Sequence, residues 1–263
     1  MARYARLAFP EAPNDFRWYA LHEDCADALD GAPWLSPATL GSRPLTGAIY
    51  GVPTTPSKIV CVGRNYAAHA KELGNEVPKE PLLFHKPVSS LLANGGTVVL
   101  PRESERVEQE AELAFVVGRR IRRATREEAR AAIFGYTVAF DITARDIQKK
   151  DVQFTRGKGF DTFCPVGPTL TAASAFAPDA TTIRCWRNGE LRQHGHTADM
   201  IFPVDVVLAY ASQVMTFEPG DLILTGTPEG VGPLAAGDTL RLEVPGLDAL
   251  TVAIGPWRKS ADE

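Results

Sequence analysis

Three glutamates alternate through the segment Val107-Glu-Gln-Glu-Ala-Glu-Leu-Ala-Phe-Val-Val-Gly118. On a strand, successive side chains point to opposite faces, so Glu108, Glu110 and Glu112 share one face. Acidic residues are poor strand formers and repel one another side by side, a conflict that a bound cation removes. Asp141, at the end of the next apolar run, supplies a further carboxylate. Three oxygen donors that leave coordination positions open suit Mg²⁺ or Mn²⁺ better than zinc. The competing reading is an exposed edge strand with solvated glutamates. Spacing alone favours that reading, because E-x-E is a common pattern.

His69 and Glu72 lie three apart in a candidate helix and therefore share a face. A carboxylate beside an imidazole orients it and raises its basicity, as a general base requires, although a surface ion pair has the same spacing. Lys158, within Gly157-Lys-Gly159, is either a cationic clamp on an oxyanion or a loop lysine. Gly226-Thr-Pro-Glu-Gly-Val-Gly232 either offers backbone N–H groups and a hydroxyl to a carboxylate or forms a tight turn. His194-Gly-His196 has no third ligand nearby in sequence and reads as a loop. The arginines at 119, 120, 122, 123, 126 and 130, beside Glu127 and Glu128, read as a solvated face.

The elements that must position these groups are mostly strands. Lys58–Gly63, Thr97–Leu100, Glu112–Gly118, Tyr136–Thr143 and Asp221–Gly226 are apolar, rich in β-branched and aromatic residues. Asn188-Gly189 marks a type I′ hairpin within Cys185–Gln193, and Thr239–Gly255 turns at Pro245-Gly246. Three helices are expected. Thr125 caps one, Pro203 opens another with an apolar stripe from Val204 to Met215, and Asn65–Leu73 is short and closed by Gly74. A helix as short as Asn65–Leu73 is marginal alone, so it is expected to be mobile or displaced without ligand. Strands outnumber helices without regular βα alternation, which predicts a β-rich α+β protein. Turn formers at Tyr50–Ser57 place a boundary between residues 1–54 and 55–263.

With 263 residues, 44% hydrophobic and 23% charged, the chain can bury a sizeable core. Its net charge of −4 gives no reason to expect nucleic acid or an anionic membrane as partner. The four cysteines, Cys25, Cys61, Cys164 and Cys185, form no CxxC pair, and a reduced, cytoplasmic protein is expected. The N-terminal apolar stretch stops at Pro10, too early for a signal peptide, and no run approaches a membrane span.

Taken together, these motifs resemble the fumarylacetoacetate hydrolase family. The matching pieces are Gly63-Arg-Asn-Tyr-Ala-Ala-His69, Glu110-Ala-Glu112, Asp141-Ile-Thr-Ala-Arg-Asp146, Gly157-Lys-Gly-Phe160 and Leu224-Thr-Gly-Thr-Pro-Glu-Gly-Val-Gly232. The resemblance implies a mixed β-roll catalytic domain with a small N-terminal β domain, usually as a homodimer. It assigns metal ligation, by Mg²⁺ or alternatively Mn²⁺, to Glu110, Glu112 and Asp141, and leaves Glu108 behind them. It puts a catalytic dyad on His69 and Glu72, a catalytic lysine on Lys158, and substrate contacts on Arg145, Gln148 and Thr227. The implied substrate is a small 2-oxo acid. Hydrolytic C–C cleavage of an acylpyruvate such as acetylpyruvate or fumarylpyruvate is the expected reaction, through an enolate and a water activated by His69 and Glu72. Oxaloacetate decarboxylation and 2-hydroxyhepta-2,4-diene-1,7-dioate isomerisation are the alternatives, and a non-catalytic 2-oxo acid binder is the reading of another class.

Overall fold

Apolar residues run without alternation through Ile59–Gly63, Ala111–Val117 and Ile133–Phe140, a composition that suits strands covered on both faces. In the computed structural model, which describes residues 2–257, these strands are the middle of an 11-stranded sheet. Every residue of Ala111–Val117 is buried. Across the sheet the order is Thr39–Pro44, Cys25–Leu29, Ala12–Leu21, Arg3–Phe9, Leu170–Ala172, Ile133–Phe140, Ala111–Val117, Leu222–Leu224, Ile59–Gly63 and Leu82–Lys86. Ile49–Tyr50 pairs with Arg3–Phe9 off this path. Most neighbours are antiparallel, but Leu222–Leu224 runs parallel to Ile59–Gly63, so the sheet is mixed.

A five-stranded sheet packs against it, ordered Glu190–His196, Thr182–Arg187, Thr239–Glu243, Leu250–Gly255 and Thr97–Val99. The main core lies between the two sheets. Leu113, Phe115 and Val117 point into it and meet Ile183, Leu240, Leu242 and Val252 from the second sheet. Ala114 and Val116, one residue out of phase, face a separate cluster with Ile59, Cys61, Leu222 and Leu224. The two-residue period of the strand thus divides one apolar segment between two cores.

The short helices are α1 (Ala67–Glu72), α2 (Arg126–Ala132), α3 (Arg145–Lys150), α4 (Thr155–Lys158) and α5 (Val204–Val214). Thr125 caps α2 with a reciprocal capping box, its hydroxyl taking the Glu128 N–H while the Glu128 carboxylate takes the Thr125 N–H. The expected hairpin turn has both central residues at positive φ, Asn188 at 54° and Gly189 at 81°. The apolar stripe of α5 is divided: Val204, Val207, Leu208 and Ala211 are buried in this chain's own core, whereas Val214, at the C-terminal end, is 69% exposed.

Residues 1–50, read from sequence as short apolar pieces, form an antiparallel meander of Arg3–Phe9, Ala12–Leu21, Cys25–Leu29 and Thr39–Pro44. Pro10 lies at the turn into Ala12–Leu21, Pro33 opens a 3-10 turn, and Pro44 ends the outer strand, where a missing N–H costs least. The meander has its own small core of Ala5, Leu7, Phe9, Tyr19, Leu21 and Ala26. It joins the rest of the sheet through Arg3 opposite Thr171 and Tyr4 opposite Leu170.

Candidate metal centre and active site

The glutamate segment is not one strand. Val107–Glu108 pairs with Thr143–Ala144, Ala111–Val117 pairs with Ile133–Phe140, and Gln109 and Glu110 lie in the break between them. The facing strand breaks at Asp141, whose N–H donates to the Glu110 carbonyl at 2.9 Å. Two interrupted strands thereby bring Glu110, Glu112 and Asp141 together, with ligand atoms all within 4.8 Å of one another. None of the three is on a solvated edge: they are 5%, 1% and 0% exposed. Glu108 is also buried, but it turns to Arg106 at 2.6 Å and Arg145 at 2.7 Å, outside the triad.

Three buried carboxylates in such proximity oppose one another's ionisation. Burial raises the Glu112 carboxyl first, and the charges of Asp141 and Glu110 raise it further, well above the ordinary carboxylate range. Its one short backbone donor, the Gly226 N–H at 2.6 Å, does not offset this. Glu110 goes the other way. Burial would raise it too, but Lys158 and Arg145 outweigh that and hold it below the usual range. The Lys158 ammonium lies 2.7 Å from Glu110 Oε2 and 2.6 Å from Asp141 Oδ2. Burial would lower that lysine, yet Asp141 and Glu110 keep it raised and charged. An all-oxygen donor set with one member this poorly compensated fits a hard divalent cation.

Of the nine residues singled out from sequence, the structure gathers eight around one cavity of about 270 Å³ or its immediate support. His69, Glu110, Arg145, Gln148 and Lys158 line the cavity. Glu112 and Asp141 complete the triad behind it, and Glu72 reaches His69 Nδ1 through Oε2 at 3.2 Å. Arg145 is committed to protein partners, namely Glu108, Glu110 and the side-chain Oε1 of Gln148 at 2.6 Å. Thr227 is placed differently from the expected substrate contact. Its hydroxyl donates to the Ala111 carbonyl at 2.9 Å and accepts from Gln193 at 2.7 Å, so it supports the ligand strand.

The loop Gly226–Gly232 does present N–H groups to carboxylates, but to the protein's own. Gly226 serves Glu112 and Gly230 serves Glu72 Oε1 at 3.0 Å. The second bond ties α1 to this loop, with α1 seated against the cavity. Gly230, at φ +96°, allows it, since a Cβ there would meet the Arg192 carbonyl at 2.0 Å. His194 and His196 lie on the strand Glu190–His196, not in a loop. Among the described residues they join no metal-binding group.

Two supporting residues were not found from sequence. Lys86, fully buried, donates to Asp141 Oδ1 at 2.6 Å, to the Ile142 carbonyl at 3.2 Å and to the Lys158 carbonyl. Its one signal was a lysine ending the apolar run Leu82–Lys86 directly before Pro87. Gln193, also fully buried, accepts from the Ala111 N–H at 3.1 Å and donates to Thr227 and the Pro228 carbonyl. Nothing in its sequence neighbourhood marked it.

The family model for the fumarylacetoacetate (FAA) hydrolase C-terminal domain matches residues 58–255. The mitochondrial oxaloacetate tautomerase FAHD1 of Arabidopsis thaliana is 48% identical over 195 residues, covering 73% of this chain and 87% of the relative. The crystal structure of 2-hydroxyhepta-2,4-diene-1,7-dioate isomerase from Mycobacterium marinum superposes with a TM-score of 0.89 at 36% identity, over 98% of this chain and 100% of that one. Fumarylpyruvate hydrolase from Pseudomonas aeruginosa, solved in complex with Mn²⁺ and pyruvate, gives a TM-score of 0.73 at 32% identity, covering 78% and 91% of the two chains.

Proposed function

Because the chain belongs to the fumarylacetoacetate hydrolase family, we propose that it is a divalent-cation-dependent enzyme that moves protons on the enol or enolate of a 2-oxo acid. The observation that carries this reading is the juxtaposition of the carboxylate triad with the His69–Glu72 pair at one cavity. Keto–enol interconversion comes first among the candidate reactions, since the tautomerase and the isomerase are among the relatives. Hydrolysis of an acylpyruvate is the second reading. The pair that exchanges a proton with carbon can also activate a water, and a fumarylpyruvate hydrolase shares the fold.

Glu110, Glu112 and Asp141 would hold Mg²⁺ or Mn²⁺, which when bound polarises a 2-oxo group and offsets enolate charge. The side chains do the rest. Lys158 keeps its proton and adds positive charge where negative charge develops. Glu72 faces Nδ1 of His69, so Nε2 is the ring nitrogen that exchanges a proton with substrate or water, and Glu72 stabilises the imidazolium. In keto–enol interconversion the enol O–H proton leaves while C3 gains one, and in isomerisation of the 2-hydroxy-2,4-diene the proton goes instead to C5, at the far end of the conjugated system. In hydrolysis, water loses its proton to His69 and attacks the distal carbonyl. The C–C bond then breaks towards the 2-oxo fragment, and C3 of that fragment is protonated.

A panel with Mg²⁺ or Mn²⁺ tests this: enol-oxaloacetate, 2-hydroxyhepta-2,4-diene-1,7-dioate, acetylpyruvate and fumarylpyruvate. Turnover of at least one is expected, and His69→Ala should lower it by about 10²–10⁴-fold, the usual range for an acid–base group. Metal-dependent binding without turnover would instead support a non-catalytic binder. We further propose a homodimer, on family membership alone.

A further inference from the structure

The turn before α1 is over-determined by Asn65. The Asn65 side chain donates to the carbonyls of Phe202 at 3.0 Å and Thr225 at 2.7 Å, and it accepts from the Phe202 N–H at 2.8 Å. Its backbone carbonyl accepts from Ile201 at 2.8 Å, and Tyr66 bridges to Met200. Clamped on its C-terminal side, residue 64 is held at φ +58°, in the left-handed region. Glycine serves such a position without strain, and asparagine nearly so. An arginine stands there instead. A non-glycine residue in this region beside a cavity is a reason to look for work done by its side chain.

That side chain lines the same cavity as His69, Glu110 and Lys158. The other buried cations of the site are already bonded to protein carboxylates: Lys86 to Asp141, Lys158 to Glu110 and Asp141, Arg145 to Glu108 and Glu110. Arg64 is half-buried, and among the described residues its guanidinium has no ion-pair or hydrogen-bond partner. Lys149 also reaches the cavity, but it is exposed, and its ammonium stays hydrated. A planar guanidinium already partly stripped of water is the better carboxylate receptor, because it offers two parallel donors.

We propose that Arg64 binds a second, distal carboxylate of the substrate, so that this enzyme selects dicarboxylic 2-oxo acids over those with an uncharged acyl tail. The inference rests on the 2-oxo acid reading above. In that reading the first carboxylate and the 2-oxo group occupy the triad side of the cavity, and the remaining chain extends towards the turn before α1. Isothermal titration of Mn²⁺-loaded protein with pyruvate and with 2-oxoglutarate separates the two ideas. Wild type should bind the dicarboxylate more tightly. Arg64→Met should weaken 2-oxoglutarate by about 10- to 100-fold, the worth of a charge-assisted hydrogen bond, and pyruvate by less than about threefold. Arg64→Gly suits the left-handed backbone, so the same loss of preference in that variant is not a folding defect. A preference that survives both substitutions, or that disappears with Lys149→Met instead, overturns the assignment to Arg64 while the 2-oxo acid reading stands. Failure of the wild-type protein to bind either acid overturns both.

Discussion

Glu112 has the least compensated charge in the site, and this sets how the centre answers to pH. Its carboxyl is raised by burial and by Asp141 and Glu110, so the cation-free fold holds a proton there that the unfolded chain releases near the ordinary carboxylate pKa of about 4.3. For an acid raised in this way, stability falls as pH rises from that value towards the raised one. A divalent cation must displace the proton, so affinity for Mg²⁺ or Mn²⁺ should increase with pH across the same window. Calorimetry in two buffers of different ionisation enthalpy should detect proton release, and release that is absent at every pH would contradict the geometry. Lys86 gives a second prediction. With chelator present, Lys86→Met leaves Asp141 without one of its buried partners and should destabilise the fold by about 3–5 kcal/mol. The loss measured in denaturant should shrink once Mn²⁺ is added. Glu110 and Glu112, two residues apart, were legible as a same-face pair, but it was the family resemblance that joined them to Asp141, since spacing alone favoured a solvated edge. Lys86 and Gln193 were not, because their partners lie 55 and 82 residues away along the chain.

At the level of elements, the apolar strands, the capped helix α2 and the Asn188-Gly189 hairpin could be read directly, since local periodicity and turn chemistry specify them. The break at Gln109–Glu110 could not. It exists because Asp141 bonds the Glu110 carbonyl across the sheet, a tertiary effect invisible to alternation. Helices α3 and α4 also escaped notice: each is at most six residues long and held mainly by the groups it brings to the site. The seat of α1 was not legible, because the Gly230 N–H bonded to Glu72 comes from 158 residues away along the chain. Gly230→Ala tests that connection. Its Cβ would strike the Arg192 carbonyl at a positive φ, so the variant should lose at least about 1–3 kcal/mol in thermal unfolding. Hydrogen exchange in α1 should accelerate more than in the central sheet. Uniform acceleration would mean that the loop does not hold α1.

Across the whole molecule, two sheets packed through one core hold the two strand breaks so that three carboxyl groups lie within 4.8 Å of one another. The N-terminal meander extends the larger sheet at the side away from Leu82–Lys86, remote from the cavity. The β-rich α+β class was legible from the predominance of strands, whereas the mixed sheet order depends on pairings between distant segments such as Leu222–Leu224 with Ile59–Gly63. For the proposed homodimer, light scattering should give twice the chain mass of 28.5 kDa, and a mass near that of one chain would contradict it. The central claim is that the triad holds one cation on which proton transfer depends. The most direct test is ketonisation of enol-oxaloacetate by protein stripped with chelator, then reconstituted with Mn²⁺, alongside Glu112→Gln. The account predicts loss on stripping, recovery at one Mn²⁺ per chain, and neither binding nor recovery in the variant. Full activity after stripping, or stoichiometric Mn²⁺ binding and recovery in Glu112→Gln, would contradict it.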